Sequence, residues 1–89
     1  MRLRFLADQA GDGLCRVAYA IPRKAGGAVV RNRLRRRLRA AVDQVVDDMA
    51  PGAYLILPDV TAIDMEFNEL IDSLRRSVRA AGASREDTR

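Results

Sequence analysis

The sequence predicts an α+β fold: a single-domain α/β sandwich with a small, mostly antiparallel sheet, one long basic helix and a C-terminal helix. Three observations predict it. Residues 1–7 and 14–21 carry side chains that differ between two faces with the period of strands, and two later stretches repeat apolar side chains with the period of helices. The length of 89 residues suits one thin core. The expected domain covers residues 1–81, and residues 82–89, GASREDTR, read as a disordered tail.

Residues 1–7 set Leu3 and Phe5 against Arg2 and Arg4, the alternation of a half-buried strand. Residues 8–13, DQAGDG, form a turn by composition, and residues 14–21 form a second strand, so the two most simply pair as an antiparallel hairpin. That second strand has two unlike faces: Cys15, Val17, Tyr19 and Ile21 are bulky, whereas Arg16, Ala18 and Ala20 are small or polar. Small side chains on a sheet face leave a trough, or else let a helix pack close.

Pro22 ends the strand, and Gly26 and Gly27 open a helix expected to run to about Ala50 before Pro51 and Gly52. Val30, Leu34, Leu38, Ala41 and Val45 fall within a stripe of about 80° that faces the core. Residues 53–57, AYLIL, are a continuous apolar run between Gly52 and Pro58, which predicts a central strand buried on both faces. Asp64 is the expected N-cap of a last helix with Phe67, Leu70, Ile71, Leu74 and Val78 inward, closed by Gly82. Arg75, Arg76 and Arg79 lie in its last turns, where cations suit the helix dipole.

Charge is the chain's most pointed feature. The net charge is only +4, but residues 16–39 hold nine basic side chains and no acid. Six arginines fall within residues 31–39, with Asn32, Arg35, Arg36 and Arg39 opposite the apolar stripe and Arg31, Arg33 and Arg37 on its flanks. A merely solvated helix face alternates Glu and Lys four residues apart and gains a few tenths of a kcal/mol per pair. This one forgoes that gain, so it reads as a polyanion-binding surface. Asp43, Asp47 and Asp48 have the wrong sign for a helix C-terminus and are expected to pair with Arg or to repel RNA from that end.

The composition excludes other chemistry. With no His and one Cys, the chain offers no His-based catalysis, no metal cluster and no internal disulfide, and Cys15 reads as a small buried hydrophobe in a reducing compartment. No 18-residue apolar run and no signal-like start occur, so the expected location is the cytoplasm.

The stretch KAGGAVVRNRLRRRLR, residues 24–39, resembles the signature of the protein subunit of bacterial ribonuclease P. Lys24, Gly26, Ala28, Val29, Arg31, Asn32, Arg33, Arg35, Arg36 and Arg39 fall in register with it, and the preceding RVAYAI resembles the family's Arg-Val-Gly-aromatic strand. The similarity of pattern covers nearly all of the chain. It implies that the basic helix lies in a left-handed βαβ crossover, against the usual right-handed rule. It also implies an RNA-binding subunit that assists a catalytic RNA in removing the 5′ leader from precursor tRNA, itself inactive alone, with Mg²⁺ held mainly by the RNA and the substrate. By the same resemblance, Lys24, Arg31, Asn32, Arg33, Arg35, Arg36 and Arg39 bind the RNA subunit, and a sheet face carrying Leu3, Phe5, Ala18 and Ala20 lines the leader cleft. No catalytic residue and no metal ligand is expected in the protein.

The chain departs from the family pattern in places. It begins inside the first strand, so the family's N-terminal helix is expected to be absent; Gly is replaced by Ala18, Ser by Pro22, and the acid after Arg39 by Ala40. A non-enzymatic RNA-binding accessory protein, ribosome-associated or similar, is the alternative. DNA binding lacks a dimer seam or recognition-helix partner, and a membrane-surface role lacks a spare apolar face.

Overall fold

A computed structural model describes residues 1–85 of the protein. Its elements are β1 (Arg2–Ala7), β2 (Cys15–Tyr19), α1 (Ala28–Val45), β3 (Gly52–Leu57) and α2 (Phe67–Ala80), with short 3₁₀ turns at Arg23–Ala25, Val46–Asp48 and Val60–Ile63. The three strands form one sheet in the order β1-β3-β2. β1 runs antiparallel to β3, with Phe5 opposite Tyr54, and β2 runs parallel to it, with Val17 also opposite Tyr54.

The expected hairpin is therefore corrected: β1 and β2 do not pair with each other, and the sheet is mixed. Placing the most apolar strand between two amphipathic ones leaves it no open edge. The crossing depends on Gly52, whose added Cβ would stand 2.3 Å from the Leu6 carbonyl oxygen and 2.8 Å from the Phe5 ring, at a φ of 151°. Gly52 N–H donates to Leu14 O at 3.0 Å and Asp8 N–H to Pro51 O at 3.2 Å, so the β1–β2 loop straddles the start of β3. The Asp8 carboxylate gathers that loop by accepting from the N–H groups of Ala10, Gly11 and Gly13.

Both helices lie on one face of the sheet. Leu34, Leu38, Ala41, Val42 and Val45 of α1 join Leu70, Leu74 and Val78 of α2 and Tyr54 and Ile56 of β3 in one core, with Leu3, Phe5, Cys15, Val17 and Tyr19 packed against it. β3 is central as expected but is not buried on both faces: Tyr54 and Ile56 are buried, Leu55 and Leu57 half-buried and Ala53 exposed. No described helix covers that second face, which explains the difference.

Several boundaries shift. α1 ends at Val45 rather than near Ala50, because a 3₁₀ turn and an extended Met49 carry Met49 and Ala50 into the core. Val30, expected inside, is 37% exposed, and Val42 takes a core place instead. α2 starts at Phe67 with Glu66 in the N-cap position, not Asp64, since the Val60–Ile63 turn occupies the approach. Cys15 is half-buried, its thiol facing the carbonyl oxygens of Met49 and Ala50; burial pushes its pKa up.

Part of the expected tail is packed. Ala83 and Ser84 are buried, Ala50 N–H donates to Ala83 O at 2.8 Å, and Arg85 N–H donates to Asp48 O at 2.9 Å. The expectation of disorder from Gly82 is corrected for residues 83–85; its remainder, residues 86–89, lies outside the described residues.

Candidate nucleic-acid interface

The core stripe of α1 fixes which way its arginines point. With Leu34, Leu38 and Ala41 buried, Asn32, Arg36 and Arg39 are exposed on the far side and Arg35 is half-buried beside them. Asn32, Arg35, Arg36 and Arg39, with Val29, line an open groove of about 530 Å³. Inside it Arg35 donates to Asn32 Oδ1 at 3.0 Å, which orients both side chains and leaves the amide N–H groups of Asn32 as further donors.

No ion pair between described residues engages an arginine of α1. Among the described residues no carboxylate pairs with these charges, so the groove carries a concentrated positive potential. The first turn of the helix adds to it: Gly27 is the N-cap, no side chain caps the free N–H groups, and no acid stands in that turn. The aspartates near the far end, Asp43, Asp47 and Asp48, are exposed and form no ion pair with a described arginine, so of the two roles expected of them, pairing with Arg or repelling RNA, the first is not seen among the described residues.

The remaining predicted contacts are distributed around this groove. Lys24 is exposed in the 3₁₀ turn ahead of α1, and Arg33 is exposed on the flank facing Ile63. Arg31 is half-buried, and its Nε is shielded from solvent with no hydrogen-bond partner among the described residues. A shielded donor left without a partner is uncommon, because it forfeits its hydration without replacement. Arg37, on the same flank as Arg33, serves the fold. Its guanidinium donates to Ile63 O at 3.2 Å, Ala62 O at 3.4 Å and to Met65 O.

The expected leader cleft is not assembled from Leu3, Phe5, Ala18 and Ala20. Leu3 and Phe5 point to the helix side, where the Phe5 and Tyr54 rings lie 4.9 Å apart. Ala18 is exposed on the opposite face, and Ala20 follows in the same alternation. The reason is the register: Phe5 and Val17 both flank Tyr54, so the apolar residues of both edge strands share one face. The open face instead presents Arg2, Arg4 and Leu6 of β1, Ala53, Leu55 and Leu57 of β3, and Arg16 and Ala18 of β2. Arg2 and Arg4, which were not singled out from the sequence, stand exposed on this open face. Matching the bulky face of β2 to Leu3 and Phe5, rather than its small face, would have found them. Arg16 is held by Asp12 at 2.5 Å, and the guanidinium keeps the Asp12 carboxyl below the usual carboxylate range.

A model of the family described as Ribonuclease P matches residues 1–82. The chain is 39% identical over 81 residues to the ribonuclease P protein component of Brucella suis, covering 89% of this chain and 57% of that protein. It is 41% identical over 78 residues to that of Symbiobacterium thermophilum, covering 86% of this chain and 67% of the relative. Among solved structures, the RNase P protein from Thermotoga maritima superposes with a TM-score of 0.75 at 19% identity, over 88% of this chain and 74% of that one. The Staphylococcus aureus RNase P protein does so with 0.74 at 19% identity, over 89% and 72%. These structural likenesses concern the fold. The chain spans little more than half the length of the Brucella relatives it matches.

Proposed function

Because the chain belongs to the ribonuclease P protein family, we propose that it acts as the RNA-binding protein subunit of ribonuclease P and assists a catalytic RNA in removing the 5′ leader from precursor tRNA. The observation that carries this reading is the groove of Asn32, Arg35, Arg36 and Arg39, four donors on one helix face with no carboxylate of the described chain to neutralise them. Guanidinium groups are planar forks that match phosphate oxygens two at a time.

In this reading the chain's residues bind and orient, and the bond cleavage belongs to the RNA. Mg²⁺, held by RNA and substrate, would supply the activation of water and the charge stabilisation of phosphodiester hydrolysis. Among the described residues no group of three or more His, Cys, Asp or Glu is placed to hold a metal ion. The leader is assigned to the open sheet face, where Arg2 and Arg4 offer charge beside the half-buried Leu55 and Leu57. No described helix is long and apolar enough to cross a membrane, and the expected partners are the RNA subunit and precursor tRNA, with a cytoplasmic site of action.

Reconstitution tests the reading. Adding the protein to the ribonuclease P RNA at low Mg²⁺ is expected to restore accurate 5′ cleavage of a precursor tRNA, while protein freed of RNA leaves the precursor intact. Cleavage by the nuclease-treated protein alone, or no response of the RNA to the protein, would contradict it.

A further inference from the structure

A second concavity opens beside the basic groove: a notch of about 170 Å³ walled by Val29, Val30, Arg33, Leu34, Arg37 and Ile63. Val29 borders both and forms the ridge between them. It is 82% exposed and Val30 37%, although both are β-branched apolar residues on a helix that has a core to offer them. The notch is built rather than incidental. Gly26 packs directly against its wall, since a Cβ at that position would stand 3.0 Å from Val30 Cβ, at a φ of 142° that disfavours other residues. Arg37 is pinned by the carbonyl oxygens of Ala62, Ile63 and Met65, so its stem is a fixed wall, while Arg33 stays exposed at the rim.

We propose that this notch receives one unstacked nucleobase of the RNA strand whose phosphates occupy the groove of Asn32, Arg35, Arg36 and Arg39. The inference rests on the RNA-binding role proposed above and specifies it. Size comes first: the volume is several times the roughly 30 Å³ of a water and well below the roughly 300–1,000 Å³ of pockets for larger ligands. A flat base is of that order. Chemistry agrees, because aliphatic walls with the Arg33 guanidinium at the rim complement a π face carried on an anionic backbone, and Arg planes stack on bases. A regular duplex keeps its bases stacked inward and has nothing to insert; an unpaired or bulged nucleotide does. An aliphatic side chain of an acidic protein would also fit the walls. The adjoining row of unpaired cations favours a partner with charge repeated along its length, which a phosphodiester chain supplies.

The test compares three RNA hairpins titrated with the whole protein at one salt concentration: one with a bulged 2-aminopurine, one with an abasic site in the bulge, and one fully paired. The bulged hairpin is expected to bind at least about five-fold tighter than the other two, with a change in 2-aminopurine fluorescence on binding. Val30→Gln and, from the opposite wall, Ile63→Gln put an uncharged polar side chain into the notch. Each is expected to abolish the preference and the fluorescence change while the paired hairpin binds as before. Equal affinity for the three hairpins in the unaltered protein overturns the notch assignment and leaves the RNA-binding role standing, whether or not the variants fold. A preference that survives in both folded variants overturns it too, by placing the base elsewhere. Binding of none of the hairpins overturns both readings, and would turn attention to an acidic protein partner.

Discussion

Tyr54 shows how much of this small core hangs on single side chains. It is 3% exposed, its ring meets Phe5, and its hydroxyl donates to Ala50 O, which ties β3 to the segment that follows α1. Burial pushes its pKa up from 10 to about 12. The unfolded chain therefore loses this proton near pH 10 while the folded chain keeps it, so stability falls as pH rises from 10 to 12, by roughly 2–3 kcal/mol across the window. Below pH 10 the contribution is fully present. Burial raises Tyr19 in the same direction, although nearby Arg39 works against it. Denaturant unfolding from pH 8 to 12 should show the decline, and Tyr54→Phe should be about 1 kcal/mol less stable at pH 8 yet flatter above pH 10. An equally steep decline in the variant would remove Tyr54 as its source.

At the scale of elements, α1 is divided between holding the fold and meeting a partner, and the division runs between neighbouring arginines. Arg37 fastens α1 to the Val60–Ile63 turn and to Met65 ahead of α2 through three carbonyl oxygens, whereas Arg35 and Arg39 line the groove, where Arg35 donates to Asn32. Arg37→Ala is expected to cost about 1–3 kcal/mol in urea unfolding, as charge-assisted hydrogen bonds do, with little change in the salt dependence of RNA binding. The reverse result, full stability with weakened salt dependence, would place Arg37 in the interface. Sequence showed the helix, its basic face and its apolar stripe, because the 3.6 period acts locally. It did not show that Arg37 would find the carbonyls of residues 62–65, since that contact spans 25 or more positions. The sheet was harder for the same reason. Alternation revealed two faces in β1 and β2, but which faces coincide depends on β3 arriving between them, some 35 residues after β2. Hence the hairpin and the cleft of Leu3, Phe5, Ala18 and Ala20 were misjudged, while the central place of β3 followed from its apolar run.

For the molecule as a whole, the two helices cover one sheet face and leave the other open, while the charge is concentrated on the solvent side of α1. The account stands on that charge being an RNA-phosphate surface and not a solvated one. Each phosphate neutralised by Lys24 or an α1 arginine releases counterions, so four to six contacts give a slope of log K against log salt of roughly −3 to −5. The decisive measurement is that slope for the unaltered protein and for the double variant Arg35→Ala with Arg39→Ala, on the same RNA, with folding followed by circular dichroism. The account predicts weaker binding and a slope smaller in magnitude by about two units in a protein that still folds, because neither side chain takes part in the core. An intact fold with affinity and slope unchanged would contradict it.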